Sequence, residues 1–417
     1  MQKQGINNQT KLADKIGISR SQLSQMLSDT YNPTRTNVNK LAEALDLSVL
    51  DLFTEDENNE AHKGNRMDYK WNEYVNVKSV LPNKNFTVLE TFAGAGGLAL
   101  GLEKAGFSSA GAIELDKHAV DTLRQNRPNW NVLEGDIENF AENINEYIPE
   151  TFDVLSGGYP CQAFSFAGKR EGMGDVRGTL FYPYSRILHQ KKPKIFIAEN
   201  VRGLVNHDNG RTLDTMIEVF ENEGYTVHWN ILNAWNYDVA EKRERIVIIG
   251  IRNDLITQQK YPFAYPQVQS YRPVLRDVLK DVPESPVTAY SDKKKKVMEL
   301  VPPGGCWINL PEDIAKEYMG ASWYSGGGKR GMARRLSWDE PSLTLTTSPS
   351  QKQTERCHPD ETRPFTTREY ARIQSFPDEW EFSGGVGAIY KQIGNAVPVN
   401  LAKYIGLAVI HYLNQFD

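Results

Sequence analysis

The spacing of apolar positions changes character along the chain, and each change marks a segment. Over residues 1–53 it is helical. "TKLADKIGISRSQLSQML" puts Leu12, Ala13 and Ile16 on one face before Gly17 breaks the run. Ser19 with Gln22 three residues later is a capping-box signature, and the helix it opens turns Leu23, Met26 and Leu27 inward. Arg20, Gln22 and Gln25 are then left on the outward face. A further helix after "NPTRT" buries Leu41, Ala42 and Leu45. Residues 54–80 begin with an acidic polar cluster and read as a linker whose later, aromatic part packs on the next domain.

From Phe86 to Ile251 the pattern becomes one of short β-branched runs, "FTVLE", "SAGAIEL", "FDVLSGG", "KIFIAEN" and "RIVIIGI", separated by helical segments such as "GLALGLEKAGF" and "TLDTMIEVFENEGY". Short, continuously apolar runs are expected as buried parallel strands. Residues 81–251 are therefore expected to form a doubly wound α/β domain with ligands at the carboxyl ends of the strands. The alternation is lost over 252–360, a stretch with many Pro, Gly, Tyr and Trp that is expected to be a smaller, irregular domain. Residues 361–417 turn helical again, and the closing "NLAKYIGLAVIHYL" is expected to return to the α/β domain.

Composition narrows the class. With 417 residues, 40% hydrophobic and 24% charged, the chain reads as an ordinary globular protein of two or three domains. No apolar run approaches the ~18 residues needed to span a bilayer, and "MQKQGINNQTKLADK" lacks the apolar core of a secretory signal. A cytoplasmic protein without a membrane partner is expected. Cys161, Cys306 and Cys357 lie far apart with no CxxC pair, which excludes a disulfide framework and argues against a structural zinc site. No metal is expected. The net charge of −5 does not suggest a nucleic-acid binder, but local basic runs exist at 293–296 ("KKKK") and 326–335 ("GGGKRGMARR"). The lysine run reads as a solvated face. In the second run, glycines beside Lys329, Arg330, Arg334 and Arg335 suit a loop laid along a DNA groove.

Candidate chemistry gathers at one sheet edge. After "FTVLE" come Gly94, Gly96 and Gly97 and then an apolar helix, whose N-terminus offers free amides. "GAGGLA" fits the dinucleotide fingerprint, with Glu114 twenty residues beyond Gly94. That supports an adenosine-containing ligand and leaves NAD and S-adenosylmethionine both open. Asp136, in "EGDIENF", follows the next short strand, where an adenine amino group could be read. Cys161 follows "FDVLSGG", held by Pro160, while "KIFIAENV" delivers Glu199 and Asn200 to the same edge. A cysteine beside a carboxylate suggests a nucleophile paired with an acid. In "EKRERIVIIGI" a period of two puts Arg243 and Arg245 on one face, suited to a planar, partly anionic ring or a phosphate.

"GGYPCQAFS", "ENV" and "KRERI", in that order after "FAGAGG", together with "RPFTTREYARIQSFPDEW" and "IGNAVPVN", resemble the cytosine-5 DNA methyltransferases of bacterial restriction–modification systems, over about residues 86–417. Residues 1–53 resemble a phage-repressor-type, all-α helix-turn-helix. The resemblance implies a Rossmann-like S-adenosylmethionine-dependent methyltransferase domain and a target-recognition domain over 252–360. It implies that the Cys161 thiolate attacks carbon 6 of a flipped cytosine in double-stranded DNA. Glu199 would contact ring nitrogen 3 and the exocyclic amine, and Arg245 would hold the carbonyl at position 2 with Arg243 in support. Cofactor contacts would come from Phe92, Gly94, Gly96, Gly97, Glu114, Leu115, Asp136, Ile137, Pro160, Asn395 and Val397, with S-adenosylhomocysteine as product. The segment after Cys161, through Ser165 to Arg177, would close over DNA, with Gln162, Ser165, Lys169 and Arg170 among its contacts.

Catalysis would be monomeric and nucleoid-associated. The N-terminal module would bind an operator as a homodimer through Arg20, Gln22 and Gln25 and repress its own operon. The chain departs from the family pattern at Glu90-Thr91 (usually Asp-Leu), at Glu241 (usually Gln) and at Asp238 (more often Gly). Competing readings are a transfer-RNA cytosine-5 methyltransferase, a nucleotide-sensing transcription factor without catalysis, and a dehydrogenase. The last gives no role to "PCQ" or "ENV".

Overall fold

The computed structural model describes Ala13, Ile16, Leu23 and residues 67–159, 180–324 and 331–416. The chain divides into two units, one of residues 1–65 with 163–179, the other of residues 66–162 with 180–417. In the first, Ala13, Ile16 and Leu23 are helical and buried. The second holds the sheet.

That sheet has seven strands: β1 (Thr87–Thr91), β2 (Ser108–Glu114), β3 (Val132–Glu134), β4 (Val154–Gly157), β5 (Ile195–Val201), β6 (Tyr225–Asn233) and β7 (Glu244–Arg252), in the order β3-β2-β1-β4-β5-β7-β6. The pairs among β1 to β5 are parallel, while β7 pairs antiparallel with both β5 and β6. One expectation is corrected here: "RIVIIGI" is not a parallel strand. A strand buried on both faces is apolar throughout whichever way it runs, so its composition carries no direction. The edge strand β6, "YTVHWNILN", alternates apolar and polar residues, a strand signal that a search for continuous apolar runs passes over.

Helices cover the sheet: α1 (Gly97–Ala105), α2 (Lys117–Asn126), α3 (Ile137–Glu142), α4 (Phe181–Lys191) and α5 (Arg211–Asn222). The last helix, α10 (Val399–Leu413), is apolar nearly all round because it is buried against α1 and the sheet. Small residues let the two helices touch: a Cβ on Gly101 would lie 2.3 Å from Cβ of Ala402, and one on Gly406 2.8 Å from Cβ of Ala105.

Residues 54–66 lie outside the described set. Residues 67–80 pack on the sheet domain: the Trp71 indole donates to the Phe263 carbonyl at 2.7 Å, and Tyr74–Val75 pairs with Tyr265–Pro266. Among the short helices beyond β7 are α6 (Asp292–Glu299) and α7 (Glu312–Met319), beside a small core of Met298, Val301, Leu310, Ala315, Ala333 and Cys357. Two further helices, α8 (Thr367–Ile373) and α9 (Val386–Asn395), lead back to α10.

Candidate active site

The carboxyl ends of β1, β2, β4 and β5, with the end of α9, enclose a cleft of about 780 Å³. Its floor is the glycine loop after β1. Phe92 and Gly94 both take positive φ, 54° each, which turns the chain sharply, and a Cβ on Gly94 would meet nothing within 4 Å. That openness is the space a ligand can use. Gly97 lines the cleft but is also a packing glycine, since its Cβ would lie 2.3 Å from the Val397 carbonyl. Gly96 adopts φ 85°, and a Cβ there would meet Leu123 and Trp380, so this glycine shapes the turn; it is not among the residues that line the cleft. The Trp380 indole donates to the Ala95 carbonyl at 3.1 Å and pins the loop from behind.

Glu114, at the end of β2, accepts from the Gly94 amide at 2.7 Å through Oε2 and from the Leu115 and Asp116 amides at 2.9 and 2.7 Å through Oε1. A carboxylate offers about four acceptor positions, so this one is oriented by backbone and still has capacity on Oε2 for a hydroxyl. Leu115, Asp136, Ile137, Asn395 and Val397 line the same cleft. Asp136 caps α3 by accepting from the Glu138 amide at 3.1 Å. Lys391 is a cleft residue that sequence reasoning missed. It stands one helical turn before Asn395 on α9 and reaches Asp116 at 2.8 Å, holding that carboxyl below its usual range. The i, i+4 spacing from Asn395 was the available signal.

Glu199 and Arg245 come from adjacent antiparallel strands, β5 and β7. Oε1 of Glu199 lies 2.8 Å from Nε of Arg245, and each side chain retains 12% of its exposure on the cleft they line. Burial raises the Glu199 carboxyl above its ordinary value, opposed by Arg245 and Arg243. Burial also brings the Arg245 guanidinium down to about 10, still charged at neutral pH. Gly158 makes room for the carboxylate, because a Cβ there would lie 2.8 Å from Oε2 of Glu199. Asn200 donates to the Tyr159 carbonyl at 2.9 Å, fixing the chain just before Pro160.

Arg243 precedes β7 and is 2% exposed; it turns into the protein and donates to the carbonyls of Leu345, Gly394 and Ala396. It borders the cleft as a strut, with Nη1 and Nη2 occupied by backbone carbonyls and Nε without a partner among the described residues. Arg335 is corrected as a DNA contact: 4% exposed, it donates to the carbonyls of Met298, Val301, His358, Pro359 and Glu361. Arg334 is likewise committed, to the Gly304 carbonyl at 2.7 Å and to Glu340 at 3.2 Å. These arginines close a loop-rich core that has few ladder hydrogen bonds of its own. Lys294, in the lysine run, turns inward to Glu355 and not to solvent. Pro160, Cys161, Gln162, Ser165, Lys169, Arg170, Arg20, Gln22, Gln25, Lys329 and Arg330 lie outside the described residues.

The family departures have local partners. Asp238 takes φ 56°, a conformation Asp tolerates where Gly is usual, and accepts from the Tyr404 hydroxyl at 2.5 Å. Thr91 donates to the Ser156 carbonyl at 3.1 Å, next to Gly157, whose Cβ would collide with it. Glu241 accepts from the Leu345 amide at 2.6 Å. Oε2 of the buried Glu90 has no hydrogen-bond partner among the described residues.

Comparison with known proteins places this geometry. The family model for C-5 cytosine-specific DNA methylases matches residues 86–411, and a helix-turn-helix model matches residues 1–52. The chain is 69% identical, over all of its length and 97% of the relative's, to the type II methyltransferase M.Sau96I of Staphylococcus aureus. It is 54% identical to the type II methyltransferase M.Eco47II of Escherichia coli, over 81% of this chain and 82% of that one. Among solved structures, the S. pombe Dnmt2 methyltransferase superposes with a TM-score of 0.56 at 17% identity, covering 80% of this chain and all of the other; that likeness shows the fold alone.

Proposed function

The chain belongs to the C-5 cytosine-specific DNA methylase family, as a type II methyltransferase of the restriction–modification kind with an N-terminal helix-turn-helix, and on that premise we propose how its own residues carry the reaction. DNA is its substrate and S-adenosylmethionine the cofactor its family implies. The cleft fits that cofactor by three features: open space over Gly94, an acceptor-rich and oriented Glu114, and Asp136 and Asn395 at its walls. Glu114 would take the ribose hydroxyls, Phe92, Asp136 and Ile137 the adenine, and Asn395 with Val397 the methionine end.

The target base must leave the duplex, at a cost of a few kcal/mol. Cys161, as thiolate, adds to carbon 6 and breaks the aromaticity of the ring, which makes carbon 5 nucleophilic. When bound, S-adenosylmethionine would supply that carbon with the methyl of its sulfonium, the S–methyl bond breaking to leave S-adenosylhomocysteine. Removal of the carbon 5 proton by a base then expels the thiolate and restores the ring. Glu199 holds nitrogen 3 and the exocyclic amine. Its raised proton affinity suits a carboxyl that shares a proton with nitrogen 3 as negative charge develops there. Arg245 orients that carboxylate and holds the carbonyl at position 2.

The observation that carries this reading is the Glu199–Arg245 pair, largely buried, mutually oriented and set on the cleft wall. The test is transfer of labelled methyl to duplex DNA, with bisulfite sequencing to find the modified cytosine. Wild type should methylate one short site. Cys161→Ser should bind the duplex and lose transfer by at least about four orders of magnitude, as expected for losing a covalent nucleophile. Transfer retained by Cys161→Ser would overturn the covalent route. For residues 1–52, we read operator binding as a homodimer and repression of the chain's own transcription. A footprint on the upstream promoter should then show a protected palindrome, and its absence would overturn the regulatory reading.

A further inference from the structure

Arg243 joins three segments that the reaction uses separately. Nη2 donates to the carbonyls of Gly394 at 2.9 Å and Ala396 at 3.0 Å, which flank Asn395, and Nη1 donates to the Leu345 carbonyl at 3.1 Å. Leu345 belongs to a stretch whose start, Ser342–Leu343, pairs with Glu241–Lys242, immediately before β7 and Arg245. The backbone of Arg243 is itself held, its carbonyl accepting from the Ala234 amide at 2.9 Å. Glu241 grips the same stretch from the other side, accepting the Leu345 amide at 2.6 Å while facing Nη1 of Arg243 at 3.5 Å. Arg356 adds a bond to the Thr344 carbonyl at 2.7 Å. The joint has no slack: a Cβ on Gly394 would lie 2.4 Å from the Thr346 carbonyl oxygen.

A planar guanidinium spanning three carbonyls fixes their relative positions in a way an ammonium cannot. The carbonyls belong to the cleft wall assigned to the cofactor's methionine end and to the segment that braces the base-holding strand. Ordering either wall therefore orders the other through one side chain. We propose that Arg243 is a positioning residue that makes binding of the cofactor and binding of the target DNA cooperative, by locking residues 394–396 and 342–346 onto the strand that carries Arg245. This rests on the assignment of Asn395 and Val397 to the cofactor and of Arg245 to the base.

Cooperativity of this kind is reciprocal and can be measured at equilibrium. The probes are S-adenosylhomocysteine and a duplex carrying the site found by bisulfite sequencing, with full-length protein. Duplex affinity is measured by fluorescence anisotropy with and without saturating S-adenosylhomocysteine, and S-adenosylhomocysteine affinity by calorimetry with and without duplex. In wild type each ligand should tighten the other by about five-fold or more, within the usual span of such couplings. In Arg243→Lys both factors should fall below about two-fold, while each ligand alone still binds. A merely structural role would lower the melting temperature and both affinities but leave the coupling factor unchanged, and that result overturns the proposal. Gly394→Ala opens the same joint without altering any charge and should also lose the coupling; it decides the matter if Arg243→Lys fails to fold. Wild type that binds both ligands without coupling overturns the proposal and leaves the functional assignment standing. Wild type that binds no S-adenosylhomocysteine sinks the functional assignment itself.

Discussion

Two buried ion pairs, one at the carboxyl edge of the sheet and one in the small core beyond it, use similar residues to opposite ends. Glu199 and Arg245 face each other at 2.8 Å, yet each keeps 12% of its exposure on the wall of a large cleft. Glu355 and Lys294 meet at 2.5 Å with Glu355 fully buried. Oε1 of Glu355 accepts from the Tyr290 hydroxyl at 2.7 Å, and Oε2 accepts from the Tyr318 hydroxyl at 3.5 Å. Burial raises both carboxyls, and a cation opposes the rise in both. What separates them is where the remaining hydrogen-bonding capacity points. The first pair aims it at the open cleft, while the second spends it on two tyrosines. A perturbed carboxyl therefore identifies a reactive site only when it lies beside an opening.

The largest effect expected from this contrast is at Glu199. Glu199→Gln keeps the shape and a hydrogen bond to Arg245 but cannot share a proton with the ring. Its kcat should fall by about 10²- to 10⁴-fold, with duplex affinity nearly intact. The sign with pH also follows. The protonated fraction of Glu199 declines as pH rises, so wild-type kcat should carry a limb that falls toward alkaline pH, displaced upward from the ordinary carboxylate range. That limb should vanish in Glu199→Gln; persistence would assign it to another group.

At the sealed pair the expected effect is on stability and not on chemistry. Lys294→Met removes one partner of a buried pair, which costs about 3 kcal/mol, partly offset as Glu355 takes up a proton. A fall in melting temperature on the order of 5–10 °C is expected, with kcat changed by no more than about two-fold below the transition. A large loss of kcat with an unchanged melting temperature would erase the distinction between the two regions.

Sequence reading serves these regions unequally, for physical reasons. The α/β order, the glycine loop and the residues at the strand ends are legible because strand period, turn glycines and acidic spacing are local properties. The direction of β7 is not, since its run "RIVIIGI" looks the same either way. Arg334, Arg335 and Lys294 mislead for a related reason. A lysine run looks solvated and a cation cluster beside glycines looks free to meet DNA, and only the fold shows that backbone carbonyls surround Arg335 and that Glu355 lies opposite Lys294. A fingerprint does not say which glycine of the loop lines the cleft, and Gly94 and Gly97 do where Gly96 does not.

The smallest effect concerns Glu90, which lies at the edge of the same cleft as Glu199 but lacks that residue's cation: it is 3% exposed, and its Oε2 has no partner among the described residues. Burial, with Glu114 nearby, raises its carboxyl well above the ordinary range, so the folded chain holds this proton to a higher pH than the unfolded chain does. Between those two values the unfolded state binds fewer protons, and stability declines as pH rises. At about pH 4, where both states are largely protonated, Glu90→Gln should melt close to wild type. Toward about pH 8 the variant should become the more stable by roughly 1 kcal/mol, a gain of about 2–4 °C, because an amide carries no ionisation penalty. Thermal melts across that range decide it. A variant less stable than wild type at the alkaline end would mean that Glu90 is ionised in the fold and paired, and would move it into the class of Glu355.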